Sequence, residues 1–504
     1  MVLTKNLISN FGARLWAIMA SFIVLPYTIY YLGVEAYGLV GFYAMLSALS
    51  TILDLGLSTT TSREVARLSI HPQRSQELYN FSKTLEAIYW VTGALLILAI
   101  GLCSHWMAQS WLAPKALCFS TVQTSVIGMG FALGLLWPFS FYSGVLIGLE
   151  KQLPLNMILI GVTTVRALGT VLLLTCISPT VEAFFVWQSF VSLFQVLLSA
   201  VYCRKSLSIH LGFFNLDSLR KVWKFTVSLS AISITTTVLL SLDKLVISKI
   251  LDLQSFGYYA IAANIASVLH HINVPIYVSF LPRFTQYVEQ GKEKELKDSY
   301  HLASQILSSL VFPAAALLFF FPVEILTIWR IKAEAINQVI PILRLLLVGT
   351  TLNTLLSNAT ALQFASGQTR LLLIQNIAAV VLGIPLTIWV SVNFGAIGAA
   401  WTWIGMHFSF LVLTIPLMHR QLLQGELHKW YRESCVYPLV GAAAFVYLGR
   451  LFFFEGAGSL GNFFYLALLF LLAVLICVLL TPALRAQLLR FKLFSVKAAD
   501  EGRF

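Results

Sequence analysis

Six charged side chains fall inside stretches that are otherwise apolar: Arg14, Asp54, Arg166, Asp243, Lys244 and Arg344. The adjacent pair His270 and His271 joins them. A charge at the centre of a membrane helix costs about 2.5 to 3.5 kcal/mol on insertion scales, so each is expected to face a polar cavity or a partner. Four of the six are basic and two acidic, and protonated histidines would add to the basic side. That excess predicts a cleft of positive potential suited to an anion such as a phosphate or diphosphate.

Depth separates these residues. In "LIGVTTVRALGTVLLL", residues 159–174, Arg166 is surrounded by apolar or small side chains. It stands about eleven residues from either end of its run, too deep to snorkel easily, and no acid lies near it on the same helix. Arg14 and Asp54 are equally far in sequence from Val34 at the tip of a first hairpin, so antiparallel helices bring them to similar depth as a candidate pair. Asp243 and Lys244 are consecutive, about 100° apart on a helix, and are not expected simply to neutralise one another. They and Arg344, in "VIPILRLLL", lie roughly a turn or two from a span end, within reach of the headgroups. His270 and His271, near mid-span, are placed to exchange protons or to pack through a hydrogen bond. Asp54, Asp243, His270 and His271 are therefore the candidates for ion coupling or structural pairing. The six cysteines stand singly, without a CxxC or a Cys/His cluster at ligand spacing, so no metal site is expected.

The elements that must position these groups are membrane helices. Of 504 residues, 58% are hydrophobic and only 11% charged, which excludes a soluble globular chain. About fourteen apolar runs, from 11–32 to 461–481, are each long enough to cross a hydrocarbon core of roughly 30 Å. The first run is too long for a cleavable signal and continues into "LGVEAYG", so it is expected to remain in the mature protein. The net charge of +12 is spread over loops without clustered aromatics, which argues against nucleic acid. Topology accounts for it: with a cytosolic N-terminus, roughly 24 of the 33 Lys and Arg fall on cytosolic segments. Both termini are then cytosolic, the basic tail "LRAQLLRFKLFSVK" included. Outer loops are too short for a catalytic domain, and neither an enzyme activity nor a cofactor is expected.

At an offset of 219 residues Tyr37 meets Phe256, Gly38 meets Gly257, Ala44 meets Ala263 and Asp54 meets Asn273. The shift equals six spans, an even number, so the two copies would be parallel repeats about an axis along the membrane normal. The expected organisation is a six-helix bundle over 1–210, a second over 211–425, and two further helices with a basic tail over 426–504. Two such halves around a central cavity can rock to expose it alternately to either face.

Several stretches resemble the polysaccharide transporter family of the MOP exporter superfamily, and within it the Wzx-like flippases of O-antigen and exopolysaccharide units. They are the first hairpin with its "DLGLS…SREVAR" exit, the turns "GLEKQLPLNMI" and "ASGQTRLLLIQNI", and "VNFGAIGAAWTW". The resemblance spans nearly the whole chain in helix number and order. It implies a bacterial inner-membrane protein with a MATE-like fold that moves an undecaprenyl-diphosphate-linked oligosaccharide from the cytosolic to the outer leaflet. It also implies use of an ion gradient, Na+ or H+, with membrane lipids and a glycan polymerase of the same pathway as partners. Arg166 and Arg14 then become candidates for binding the diphosphate headgroup, with Lys244 and Arg344 behind them. Two rival functions are a membrane glycan polymerase or glycosyltransferase, which lacks a sizeable outer loop here, and a cation-coupled drug exporter, which should favour carboxylates within its spans.

Overall fold

The computed structural model describes residues 2–207, 212–329, 331–453 and 458–487, with side chains described throughout except at 2–8, 72, 216–231 and 458–460. The basic tail from 488 onward and part of the basic loop 204–224 lie outside the described residues. Everything described is helix, turn or loop.

The contacts divide the chain into two compact units, Met1–Ala260 and Ile261–Phe504. In the first, the helices are α1 (Val2–Leu32), α2 (Val34–Ser50), α3 (Leu57–Ser69), α4 (Ser75–Trp106), α5 (Phe119–Leu136), α6 (Phe139–Gly148), α7 (Gln152–Leu172), α8 (Val181–Ser206) and α9 (Leu216–Ile250). The boundary falls inside α10 (Leu253–Ala266). The second unit continues with α11 (Val268–Glu289), α12 (Glu293–Phe320), α13 (Pro322–Ile328), α14 (Ala333–Leu355), α15 (Ser357–Ala365), α16 (Arg370–Ser409), α17 (Ile415–Leu422), α18 (Leu427–Trp430), α19 (Tyr437–Leu451) and α20 (Gly458–Leu480).

Among the described residues, twelve segments are long and apolar enough to span a membrane. One of them, Arg370–Leu422, is 53 residues long and is two helices joined at Gly395, where φ is 63°. The 35-residue α9 adds a further helix of spanning length. The protein is thus an all-α polytopic membrane protein, and the twelve, the division at Gly395 and α9 together agree with the expected fourteen. Gly395 belongs to the "VNFGAIGAAW" stretch, and a left-handed φ at that corner is where glycine is favoured over any side chain.

In lipid the usual rule of an apolar inside and polar outside is relaxed, and α4 and α8 display the consequence. On α4, Val91, Leu95, Leu98 and Leu102 recur at helical spacing and are all exposed, an apolar stripe for hydrocarbon. On α8, Gln188, Ser192, Gln195 and Ser199 recur at the same spacing and are all buried, while Val186, Phe190 and Val201 face outward. Close helix approach replaces hydrophobic segregation as the packing device. A Cβ on Gly134 would lie 2.4 Å from the Gly93 carbonyl oxygen, so α4 and α5 touch backbone to backbone.

Two spans break at matching places. The span of α5 and α6 breaks at Trp137–Pro138, and that of α14 and α15 at Leu356. Trp137 and Leu356 are 219 residues apart, the offset of the sequence repeat. In the second unit α19 and α20 pack on α12 through Phe312, Ala316, Val446, Leu466 and Ala473. Arg450 of α19 pairs with Glu324 of α13.

Candidate functional site

Arg166 projects from α7 towards α8. Its Nη1 donates to Gln188 Oε1 at 3.0 Å and its Nη2 to Gln195 Oε1 at 3.1 Å. The two glutamines are seven residues apart, two turns of one helix face, so α8 offers a fork of carbonyl oxygens matched to the planar guanidinium. Gln188 is itself oriented by donating to Thr170 Oγ1, and the Arg166 carbonyl accepts from Trp187 Nε1 at 3.3 Å. The Tyr43 phenol of α2 neighbours the guanidinium. The helix carrying Arg166 is anchored to α1 by Trp16 Nε1 donating to Thr164 Oγ1 at 2.8 Å, by Asn10 donating to Gln152, and by Asn156 donating to Ser9 Oγ.

No carboxylate pairs with Arg166 among the described residues. Its partners are neutral, so its charge is uncompensated, and a guanidinium has five N–H donors, more than these partners use. The site can therefore accept a further anionic ligand, and phosphate oxygens suit the guanidinium fork.

The other candidates divide. Arg14 is exposed and has no hydrogen-bond or ion-pair partner among the described residues, so the expected Arg14–Asp54 pair is not formed. Asp54 instead accepts from Tyr89 Oη and from Ser58 N and Oγ, at 3.2 and 2.7 Å for the latter two. Asp243 accepts from Tyr259 at 2.7 Å, and Lys244 Nζ lies 3.5 Å from Asp243 Oδ1. That overturns the expectation that the two cannot neutralise one another: the long lysine stem folds back across the 100° between consecutive residues. Lys244 also donates to Leu240 O. Arg344 donates to Phe319 O at 3.1 Å and lies over the Phe319 ring, where it satisfies a carbonyl in the last turn of α12. His270 and His271 follow directly on the break between α10 and α11. His271 is exposed and His270 half-buried.

The expected numerical excess of bases over acids does not hold among buried groups. Among the described residues Glu35, Glu64, Glu86, Asp243, Glu324 and Glu433 are buried, and no Lys or Arg reaches the same burial. A short carboxylate can be enclosed by donors near a helix end, whereas a long basic stem carries its charge outward. Each buried acid is matched. Glu35 accepts from the backbone N–H groups of Lys115, Ala116 and Leu117. Glu64 pairs with Arg67, and Glu86 holds Lys83, Arg204 and Tyr142. Glu324 meets Arg450, and Glu433 accepts from Gln305 and Arg432. Among the in-span basic candidates, Arg166 is the one held by two side-chain carbonyls with no acid beside it. Gln188 and Gln195 were missed in the sequence, where their seven-residue spacing on a helix face with Ser192 and Ser199 between and beyond them was the available signal.

Interrupted membrane helices, and an in-span guanidinium held by neutral carbonyls, fit a polytopic membrane transporter. The chain belongs to the family described as polysaccharide biosynthesis protein, whose profile matches residues 3–288. The MatE profile matches residues 229–389. A Shigella flexneri protein named for O-antigen transport is 22% identical over 374 residues, 74% of this chain and 87% of that one. Among solved structures, the lipid II flippase MurJ in an inward closed conformation aligns with a TM-score of 0.67 at 14% identity. The alignment covers 94% of this chain and 97% of MurJ. An inward-facing multidrug resistance MATE family transporter of the MOP superfamily aligns at 0.66 and 14%, covering 83% and 99%. At such identities the likeness is one of fold.

Proposed function

We propose that the protein is a flippase that moves a polyprenyl-diphosphate-linked oligosaccharide from the cytosolic to the outer leaflet of a bacterial inner membrane by alternating access. The observation that carries this reading is Arg166, the in-span guanidinium held by Gln188 and Gln195 without an acid. A diphosphate supplies the negative charge that Arg166 lacks, while the polyprenyl tail stays in hydrocarbon. Membership of the polysaccharide family supports a glycan cargo. In this reading 1–210 and 211–425 are the functional halves, both termini are cytosolic, and an Na+ or H+ gradient supplies the driving force. Arg14, exposed and unpaired, is the second candidate for the headgroup, with Lys244 and Arg344 as lesser ones already engaged by carbonyl oxygens.

The test is delivery of the lipid-linked glycan to the outer leaflet by cells carrying Arg166→Ala at wild-type membrane level. Loss of delivery is expected, and wild-type delivery would remove Arg166 from the mechanism. The MatE match over 229–389 favours one second reading, a drug exporter. Drug efflux with unchanged glycan display on deletion would select it.

A further inference from the structure

Near the start of α4 a buried acid is met by more positive charge than it can neutralise. Glu86, enclosed where α4, α6 and α8 meet, accepts from Tyr142 Oη at 2.7 Å and Arg204 Nη2 at 3.0 Å on one oxygen, and from Lys83 Nζ at 3.1 Å on the other. Tyr142 in turn accepts from Trp90 Nε1 at 3.2 Å. One carboxylate thus faces two cations and has little acceptor capacity left. Lys83 and Arg204 keep further N–H groups with no other partner among the described residues, and their side chains are 42% and 55% exposed. Lys205 is exposed beside Arg204.

Apolar surface continues from both cations. On α4 the exposed stripe of Val91, Leu95, Leu98 and Leu102 starts about two turns beyond Lys83, and on α8 Leu197 and Val201 lead up to Arg204. At the same end Phe213 and Phe214 are exposed on a loop fastened to α4, Phe213 N donating to Asn80 Oδ1 and Asn215 N to Thr84 Oγ1, both at 2.8 Å. Basic and aromatic side chains at a span end, with leucines beyond them, are the pattern of a membrane interface, and basic pockets between helices hold anionic lipid headgroups.

In the second half the corresponding face is covered by protein. At the repeat offset of 219 residues Glu86, Leu95 and Leu98 correspond to Gln305, Ala314 and Leu317 of α12. Gln305 donates to Glu433 Oε2 at 3.2 Å and accepts from Ala483 N at 2.8 Å, and Leu317 packs in the cluster that α19 and α20 share with α12. On α4 the acid replaces the amide, and the stripe stays exposed. Its large aliphatic side chains suit acyl chains better than the close approach of another helix, which small residues favour.

We propose that this face of α4 and α8 binds an anionic glycerophospholipid, its phosphate on Lys83 and Arg204 and its acyl chains along Val91 and Leu95 and along Leu197 and Val201. The lipid takes on the first half the place that α19 and α20 take on the second. Under the proposed topology it belongs to the inner leaflet. The site uses neither Arg166 nor the cargo.

The test is thermal unfolding of the purified full-length protein in detergent, titrated with phosphatidylglycerol, phosphatidylcholine or inorganic phosphate. A saturable rise in Tm with phosphatidylglycerol alone is expected, weakened by added salt. Lys83→Gln with Arg204→Gln should raise the half-saturating concentration roughly tenfold or more, since two charge-assisted contacts are lost. Glu86→Gln should lower it, because the cations lose a competing negative charge, whereas a merely structural clamp would shift it the other way. Arg166→Gln should respond as wild type does, so that failure here and failure of the flippase reading are separable. Equal curves with the two lipids or with inorganic phosphate would overturn the proposal, as would an undiminished response in the double variant or a weaker one in Glu86→Gln. Undecaprenyl diphosphate matching phosphatidylglycerol in Arg166→Gln would give the site to the cargo and overturn it equally. Should the variants fail to fold, the wild type decides: phosphatidylglycerol carrying a diazirine in its acyl chain should label α4 and α8 around Val91 and Val201. Labelling no denser there than elsewhere on the bundle, or a dimer that shields this face, would overturn the proposal.

Discussion

At the scale of single residues, the arrangement around Arg166 makes shape as important as charge. A lysine at this position keeps the charge but cannot span Gln188 and Gln195 with a planar fork. Arg166→Lys is therefore expected to lose most glycan delivery while reaching the membrane at wild-type level, as measured by outer-leaflet display against protein abundance. Gln195→Leu removes one carbonyl from a half-buried guanidinium and is expected to destabilise by about 1–3 kcal/mol, measured as a fall in thermal stability in detergent. Arg166 was legible in the sequence because depth alone isolates it. Its glutamine fork was legible in principle, since Gln188, Ser192, Gln195 and Ser199 repeat at helical spacing. The Asp243–Lys244 contact was not, because treating side chains as rigid spokes ignores the reach of a lysine stem. Nor were buried acids such as Glu86 and Glu324, which sit near span ends where sequence leaves depth undecided and only the packed donors around them reveal burial.

At the scale of elements, the helices are held by close backbone contact and by charge clamps at their ends. Gly134→Val would place side-chain carbon against the Gly93 carbonyl and force α4 from α5, with an expected loss of about 1–3 kcal/mol or more read from thermal unfolding. The loop after α4 is clamped twice, by Glu35 to three backbone N–H groups and by Lys115 Nζ to Asp252 Oδ2 at 3.1 Å. Burial works against the Asp252 carboxylate, but the Ser255 N–H and hydroxyl and the Lys115 ammonium outweigh it and hold its pKa below the usual range. A depressed folded pKa gives stability that is present above the unfolded value, about 3.9, and lost as pH falls through the folded value. Hydrogen exchange at residues 112–118 should therefore be pH-insensitive beyond intrinsic chemistry near neutrality and rise only below about pH 4. Asp252→Asn should diminish that rise by removing one of the two clamps. Span number and order followed directly from hydropathy, whereas the helix breaks at Ser267 and Leu356 lie in runs without proline or glycine at the break and are imposed by packing.

At the scale of the whole molecule, the repeat, the broken spans and the family membership describe a transporter, and the anionic cargo proposed for it rests on electrostatics. Most buried carboxylates have a basic partner, whereas Arg166, like Glu35 at the loop after α4, is held by neutral groups. The most direct measurement is flipping of an undecaprenyl-diphosphate-linked oligosaccharide by the purified protein in proteoliposomes, comparing wild type with Arg166→Gln. Removing a charge-assisted contact worth about 1.5–3 kcal/mol should cut transport at limiting substrate roughly 10- to 100-fold. Equal rates for the two proteins would contradict the assignment of Arg166 to the headgroup.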